Sequence, residues 1–394
     1  MARIQVTLVT GFLGSGKTTL LNALLQHPDM SQAAVIVNEF GEIGLDYDLV
    51  ERSDESVVQL ENGCLCCTVK SDLIDTFRDL HLLRLSGKFP KFDRVAIETT
   101  GIADPGPVLQ IILTDPLVSN VYSLDGVVTT IDAINGEDSL DRFAECVKQA
   151  AIADRIFITK SDLLADDERE AKIAVLEARL KAMNPGANIV QADARDIKPS
   201  DLFGHGLLDP RSNTVDVEAW LRAEAYVTED GTPVSNAGVR LPRSGQAEGD
   251  TKAYYESYGH QPADMQDSLD DDDHEHAHDP LINSFCLVRE EPVAMDTLRM
   301  FLEALANEAG PDLLRVKGIV NVAERPDNPA VIQGAQQIFH SLEWLTNWPT
   351  DDLRTRIVFI TRGLDQAYIE DSFELIERVA ARTIAAGAGM PAQF

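Results

Sequence analysis

Gly11-Phe-Leu-Gly14-Ser15-Gly16-Lys17-Thr18 has the spacing G-x-x-x-x-G-K-[ST] of a loop that wraps phosphate. Glycines let successive backbone N–H groups curl around an anion, and the amino end of the following helix adds partial positive charge. In this arrangement Gly11, Gly14, Ser15, Gly16 and Thr19 supply the cradle. Lys17 reaches the β- and γ-phosphates, and the Thr18 hydroxyl ligates Mg²⁺. An apolar run precedes the loop and a leucine-rich helical pattern follows it, which is the context the motif needs.

Two further groups complete a nucleotide site. Glu98-Thr-Thr-Gly101 follows the apolar run Val95-Ala-Ile97 and has the form D-x-x-G with Glu in place of Asp. Glu98 is positioned to hold Mg²⁺ directly or through water, and the Gly101 N–H to sense the γ-phosphate. Lys17, Glu98 and Gly101 are therefore the expected catalytic residues. Thr159-Lys160-Ser161-Asp162 ends another apolar run and has the form [NT]-K-x-D. A carboxylate at Asp162 accepts two hydrogen bonds from guanine, for which adenine offers no matching donors, and the Lys160 stem covers the base, so GTP is the expected nucleotide. Thr159, where Asn is commoner, is expected to loosen the tie back to the phosphate loop.

Cys64-Leu65-Cys66-Cys67 crowds three of the five cysteines into four positions, after Glu61-Asn62-Gly63. Thiolates so close suit a soft tetrahedral ion such as Zn²⁺, with two or three cysteines plus another ligand. A redox role for the trio stays open beside the metal one. Asn38-Glu39-Phe40-Gly41-Glu42 lies where a nucleotide-responsive loop would sit, and Glu39 and Glu42 are candidates to complete the thiolate site or to reach Mg²⁺. His274, His276 and His278 alternate with acids in a low-complexity tract, a weak collecting arm for Zn²⁺, Ni²⁺ or Co²⁺ or mere compositional drift. The solitary Cys146 and Cys286 are expected to be structural.

The elements that must carry these groups read as α/β. Apolar, β-branched runs at 4–10, 33–38, 57–60, 94–98, 126–131, 155–159 and 188–191 alternate with helical patterns at 18–26, 70–85, 140–151 and 167–183. Continuously apolar strands between helices predict a mostly parallel sheet covered on both faces, the fold of a P-loop nucleotide hydrolase. From 225 to 280 the pattern stops; Gly, Ser, Pro, Asp and Gln dominate, and 270–278 reads DDDDHEHAH. Such a segment buries too little apolar surface to order itself and is predicted to be an insert or linker. Order returns with strands at 284–289, 314–323, 330–333 and 356–361 and helices at 295–307 and 365–386, the latter with Ile369, Phe373, Ile376, Val379 and Ala380 on one face. The expected organisation is a nucleotide domain over 1–224, an acidic insert over 225–280 and a smaller α+β domain over 281–394.

The chain has 394 residues and a net charge of −31, so it repels nucleic acid and anionic lipid and attracts cations. Neither nucleic acid nor membrane is an expected partner. There is no apolar run of membrane-spanning length and no signal-peptide pattern at the amino terminus, which makes a reduced, cytoplasmic setting the expectation.

The ordered set GFLGSGKTT, NEFGEIGLD, ENGCLCCTV, ETTGIADP and TKSDL resembles the CobW-like GTPases, relatives of UreG and HypB, most closely the YjiA-type branch. The likeness extends through Leu124-Asp-Gly-Val-Val, Leu313-Leu-Arg-Val-Lys-Gly318 and Val331-Ile-Gln-Gly334, leaving out only the insert. It implies a metal-binding GTPase that loads zinc, or cobalt or nickel, onto a client metalloprotein under control of GTP binding and hydrolysis. Cys64, Cys66 and Cys67 would hold that metal, and the protein could act as a homo-oligomer. The competing expectation is a nucleotide-dependent thiol redox or metal sensor that regulates a partner without delivering metal. No glutamine or arginine finger is evident in the sequence, so slow intrinsic turnover is expected.

Overall fold

The computed structural model describes residues 3–28, 30, 33–37, 57–59, 69–87, 91–192, 197–204, 220–226, 239–240, 281–335, 338–339 and 342–385. Strands β1 (Ile4–Gly11), β2 (Ala33–Val37), β3 (Val57–Gln59), β4 (Arg94–Glu98), β5 (Tyr122–Asp132), β6 (Arg155–Thr159) and β7 (Asn188–Gln191) form one sheet in the order β3-β2-β4-β1-β5-β6-β7. Every pairing in it is parallel. Successive side chains on these strands enter opposite cores. Ala34, Ile36, Val95, Ile97, Ile156 and Ile158 pack on one side. Ala33, Val35, Ala96 and Phe157 pack on the other, against Leu20, Leu21 and Leu24. That is why the strands read as unbroken apolar runs rather than alternating ones.

The helices of this unit are α1 (Lys17–Leu25), α2 (Val69–Ser86), α3 (Gly106–Thr114), α4 (Pro116–Ser119), α5 (Gly136–Arg142), α6 (Ala144–Ala151), α7 (Asp166–Met183) and α8 (Pro199–Leu202). The single helix expected over 140–151 is two. Phe143 is extended (φ −124°, ψ 115°) and separates α5 from α6. Its ring leaves the helical path to stack on Phe12, with centroids 4.4 Å apart. Helix α3 lacks a visible polar face because six of its nine residues are buried, so no amphipathic period announces it.

The second unit is an antiparallel sheet of β8 (Val239–Arg240), β9 (Leu281–Arg289), β10 (Leu313–Val320), β11 (Ala330–Ala335), β12 (Ile338–Phe339), β13 (Glu343–Trp344) and β14 (Thr355–Arg362). Its order is β12-β11-β10-β14-β9-β8, with β13 beside β11. Helices α9 (Met295–Glu308) and α10 (Gln366–Ala385) cover one face through Phe301, Leu305, Ile369 and Phe373. Val379, expected on the buried stripe of α10, is 40% exposed, because the stripe runs through Ile369, Phe373, Ile376 and Ala380 and Val379 falls beside it. Within the segment expected to be a structureless insert, Val239–Arg240 pairs with Leu281 and Ile282 as an edge strand. Val239 is β-branched, a residue type enriched in strands.

The other face of this sheet meets the nucleotide unit. Ile282, Leu314, Ala335 and Ile360 join the first unit's core. Trp220, Leu221, Ala223 and Tyr226 pack on Cys286, Ile319, Val331 and Val358. Among the described residues no helix is long and apolar enough to cross a membrane.

Candidate functional site

The parallel register brings the motif residues to the carboxyl edge of the sheet, where doubly wound sheets bind ligands. Val9 lies opposite Glu98, Gly11 opposite Thr130, and Asp132 opposite Thr159. The phosphate loop leaves β1 through three glycines at positive φ, Gly11 (φ 141°), Gly14 (φ 69°) and Gly16 (φ 91°). A Cβ on Gly11 would stand 2.5 Å from the Thr130 carbonyl oxygen and 2.8 Å from Ser15 Oγ, so only glycine lets the loop pass β5. Ser15 Oγ and Thr130 Oγ1 share a buried hydrogen bond of 2.6 Å.

Lys17 is buried, and its Nζ donates to the carbonyls of Gly11 (2.8 Å) and Phe12 (3.1 Å), which spans its ammonium across the loop. Thr18 Oγ1 donates to Glu98 Oε1 at 2.7 Å. A hydroxyl and a buried carboxylate side by side at the loop are hard oxygen donors of the kind Mg²⁺ takes, so the two residues fit that ion. Thr19 is exposed on the first turn of α1.

The chain after β4 is pressed onto the phosphate loop. Thr99 N donates to Val9 O at 2.9 Å and Thr99 Oγ1 to Thr10 Oγ1 at 2.9 Å. A Cβ on Gly101 would lie 2.6 Å from Leu13 N and 2.7 Å from Leu13 Cα, so the two backbones are in direct contact. Gln149, wholly buried on α6, donates through Nε2 to the carbonyls of Gly101 (3.1 Å) and Ala103 (3.2 Å) and clamps this segment from behind.

At the end of β6, Thr159 Oγ1 donates to Ser15 O at 2.7 Å and reaches Ile131 O at 3.3 Å. The tie expected to be loosened by threonine is made: the shorter side chain stands directly beneath the loop carbonyl. Lys160 takes a left-handed backbone (φ 58°), and its Nζ donates to Asp132 Oδ2 at 2.7 Å. Asp162 is exposed on the short 3-10 turn Ser161–Leu163 that follows.

Residues 5–191 match the family described as "CobW/HypB/UreG, nucleotide-binding domain", and residues 282–376 match "Cobalamin synthesis protein cobW C-terminal domain". Over 373 residues the chain is 31% identical to the zinc chaperone YjiA of Escherichia coli, covering 95% of this chain and 98% of the relative. The chain belongs to the CobW/HypB/UreG family. It is also 29% identical over 404 residues to the zinc chaperone CobW of Pseudomonas aeruginosa, covering 94% of this chain and 90% of that one. The crystal structure of a Zn(II)-bound triple mutant of YjiA GTPase, in which a glutamate and two cysteines are replaced by alanine, superposes with a TM-score of 0.60. That match has 26% identity over 95% of this chain and 99% of that one.

Within this CobW/HypB/UreG fold, the structure thus brings together Gly11, Gly14, Ser15, Gly16, Lys17, Thr18, Glu98, Gly101 and Lys160. Cys64, Cys66, Cys67, Glu39 and Glu42 lie outside the described residues, as do the three histidines of the acidic tract. Among the described residues no group of three or more His, Cys, Asp or Glu is arranged to hold a metal ion. Cys146 and Cys286 are buried free thiols, each pushed up to about 12 by burial, which agrees with a structural role.

Sequence reasoning missed Asp132 and Gln149. Asp132 caps the turn after β5 by accepting from Ile134 N (2.7 Å) and Asn135 Nδ2 (3.2 Å) while it holds Lys160. Its signal was available, an acid ending the apolar run Gly126–Ile131, as Glu98 ends its own. Gln149 carried no such signal, because its role depends on α6 lying behind the 99–105 segment.

Proposed function

We propose that this chain is a GTP-hydrolysing metallochaperone that binds zinc or a similar divalent ion through Cys64, Cys66 and Cys67 and passes it to a client metalloprotein. The observation that carries the nucleotide half is the convergence of Thr18, Glu98, Lys17 and Thr159 on one loop of the sheet edge. Support for the metal half comes from the sequence motif and from relatives named zinc chaperones.

In this reading GTP lies along Gly11–Thr19 with its base on Lys160 and Asp162. Lys17 turns from the Gly11 and Phe12 carbonyls to the β- and γ-phosphates. Thr18 and Glu98 hold Mg²⁺, which when bound neutralises charge on the phosphate oxygens. The Gly101 N–H reports on the γ-phosphate, and Leu13 transmits its position because the two backbones touch. The loop bearing Glu39 and Glu42 and the thiolates precede this segment in sequence. Ordering by the γ-phosphate tightens the thiolate site, and hydrolysis loosens it.

Linkage makes the reading testable. If GTP tightens zinc binding by some factor, zinc tightens GTP binding by the same factor. Zinc should be titrated against the Mg·GTP-analogue and Mg·GDP forms of the wild type and of a Cys64→Ser, Cys66→Ser, Cys67→Ser variant. At least tenfold tighter binding of one ion with the GTP analogue, lost in the variant, is the expected result. Bound zinc must be counted, since the YjiA triple mutant holds Zn(II) without two of its cysteines. Equal affinity in both nucleotide states would overturn the switch.

A further inference from the structure

A cavity of about 190 Å³ lies where the two units meet, and Asp154, Arg155, Arg222, Tyr226, Arg315 and Lys317 contribute to its wall. It adjoins the amino end of β6, while the base-reading residues leave the carboxyl end, roughly 13 Å along the strand. None of the nucleotide-site residues lines it.

Its charge is opposite to that of the chain. Among the described residues, Arg155, Arg222, Arg315 and Lys317 line the cavity together with the carboxylate of Asp154, and Asp201 reaches Arg155 at 3.4 Å, in a protein of net charge −31. Asp154 is already engaged: it accepts from Val127 N at 2.7 Å and from Arg315 Nη2 at 3.2 Å, and pairs with Lys317 Nζ. Arg315 is 3% exposed, yet its Nε and Nη1 have no hydrogen-bond partner among the described residues, and neither does Arg155 Nε. Buried arginine N–H groups left without acceptors are unfavourable, and an anion or ordered water that accepts from them removes the cost. The crowding of cations is felt locally: with burial as the larger cause, the Arg222 charge helps lower Lys317, Lys181 and Arg155.

We propose that this interdomain cavity binds a small dianionic oxyanion of the phosphate class. A guanidinium fork matches two oxygens of such an anion, whose charge-assisted hydrogen bonds would satisfy the N–H groups that Arg315 and Arg155 leave open. The volume falls below the roughly 300–1,000 Å³ of larger ligand sites, which suits free phosphate or a short phosphorylated metabolite. Bound there, the anion joins Arg155 on the nucleotide unit to Arg315 on β10.

The test uses the full chain saturated with Mg²⁺ and a non-hydrolysable GTP analogue, so that the phosphate loop, including its γ position, is filled. Inorganic phosphate is then titrated by calorimetry and thermal melting, with sodium chloride at matched ionic strength as the screening control. Saturable binding with a raised melting temperature, absent with chloride and weakened at least tenfold in Arg315→Gln and Arg155→Gln, is expected. Arg155 is less buried than Arg315, so Arg155→Gln tests the site even if Arg315→Gln misfolds. No saturable binding, an equal effect of chloride, or undiminished binding by Arg155→Gln would each overturn the proposal. A short phosphorylated metabolite such as glycerol 3-phosphate binding tighter than free phosphate identifies the metabolite form; weaker binding identifies free phosphate. The readout depends on neither GTP hydrolysis nor zinc, so its failure is distinct from failure of the metallochaperone reading.

Discussion

The Thr159 hydroxyl donates to the Ser15 carbonyl across 2.7 Å, joining the end of β6 to the glycine-rich loop that follows β1. That buried hydrogen bond ties together the carboxyl ends of β1 and β6, strands that β5 separates in the sheet.

Thr159→Val keeps the shape and deletes the donor. The Ser15 carbonyl is left without its threonine donor, a loss of about 1–3 kcal/mol. GTP affinity measured by fluorescence titration should fall about tenfold, equivalent to about 1.4 kcal/mol. Thr159→Asn should retain most of the affinity.

Gly101→Ala places a methyl group 2.6 Å from Leu13 N, and backbone has no rotamer with which to yield. The segment after β4 must therefore move off the phosphate loop. Single-turnover GTP hydrolysis should slow at least tenfold, about 1.4 kcal/mol in barrier, while GDP affinity changes little. Hydrolysis at the wild-type rate would sever Gly101 from the γ-phosphate.

Asp132→Asn removes the charge that fixes the Lys160 ammonium at 2.7 Å. Lys160 is about a third exposed, so solvent screening limits the loss to roughly 1 kcal/mol. The ratio of GTP to ATP affinity should drop several-fold, measured by competition with a labelled nucleotide.

Asp154→Asn tests the contact between the units. Burial alone would raise the Asp154 carboxyl, but the Arg315 and Lys317 charges, a Lys317 hydrogen bond and the Val127 N–H together hold it at about 2, below its ordinary 3.8. Removing it leaves two buried cations uncompensated, a loss of about 3–5 kcal/mol by urea denaturation near neutral pH. A lowered carboxyl stabilises the fold fully above its unfolded value and loses that contribution as pH falls through its folded one. The gap between wild type and variant should be constant above pH about 5 and close progressively toward pH 2. A gap that widened on acidification would contradict the assignment.

What could be read from sequence followed from local rules. Strands 94–98, 155–159 and 188–191 match their expected bounds; the first two are buried on both faces and so read as apolar runs that stop where the chain leaves the sheet. The phosphate loop, Glu98 and Thr159-Lys160-Ser161-Asp162 were legible for the same reason, each being a fixed string at a strand end. Helix α3 escaped because its surroundings, not its own periodicity, define it, and the break at Phe143 because the ring's destination is Phe12, far away in sequence.

By itself the sequence determined the fold class, the phosphate loop, the acid at 98 and the expectation of guanine, since these depend on neighbours within a few residues. Only the tertiary structure decided that Thr159 reaches Ser15, that Gly101 touches Leu13, that Asp132 holds Lys160 and that Arg315 meets Asp154 across two units. Each of those pairs comes from different strands or loops, and a distance between them exists only once sheet order and register have been fixed by packing.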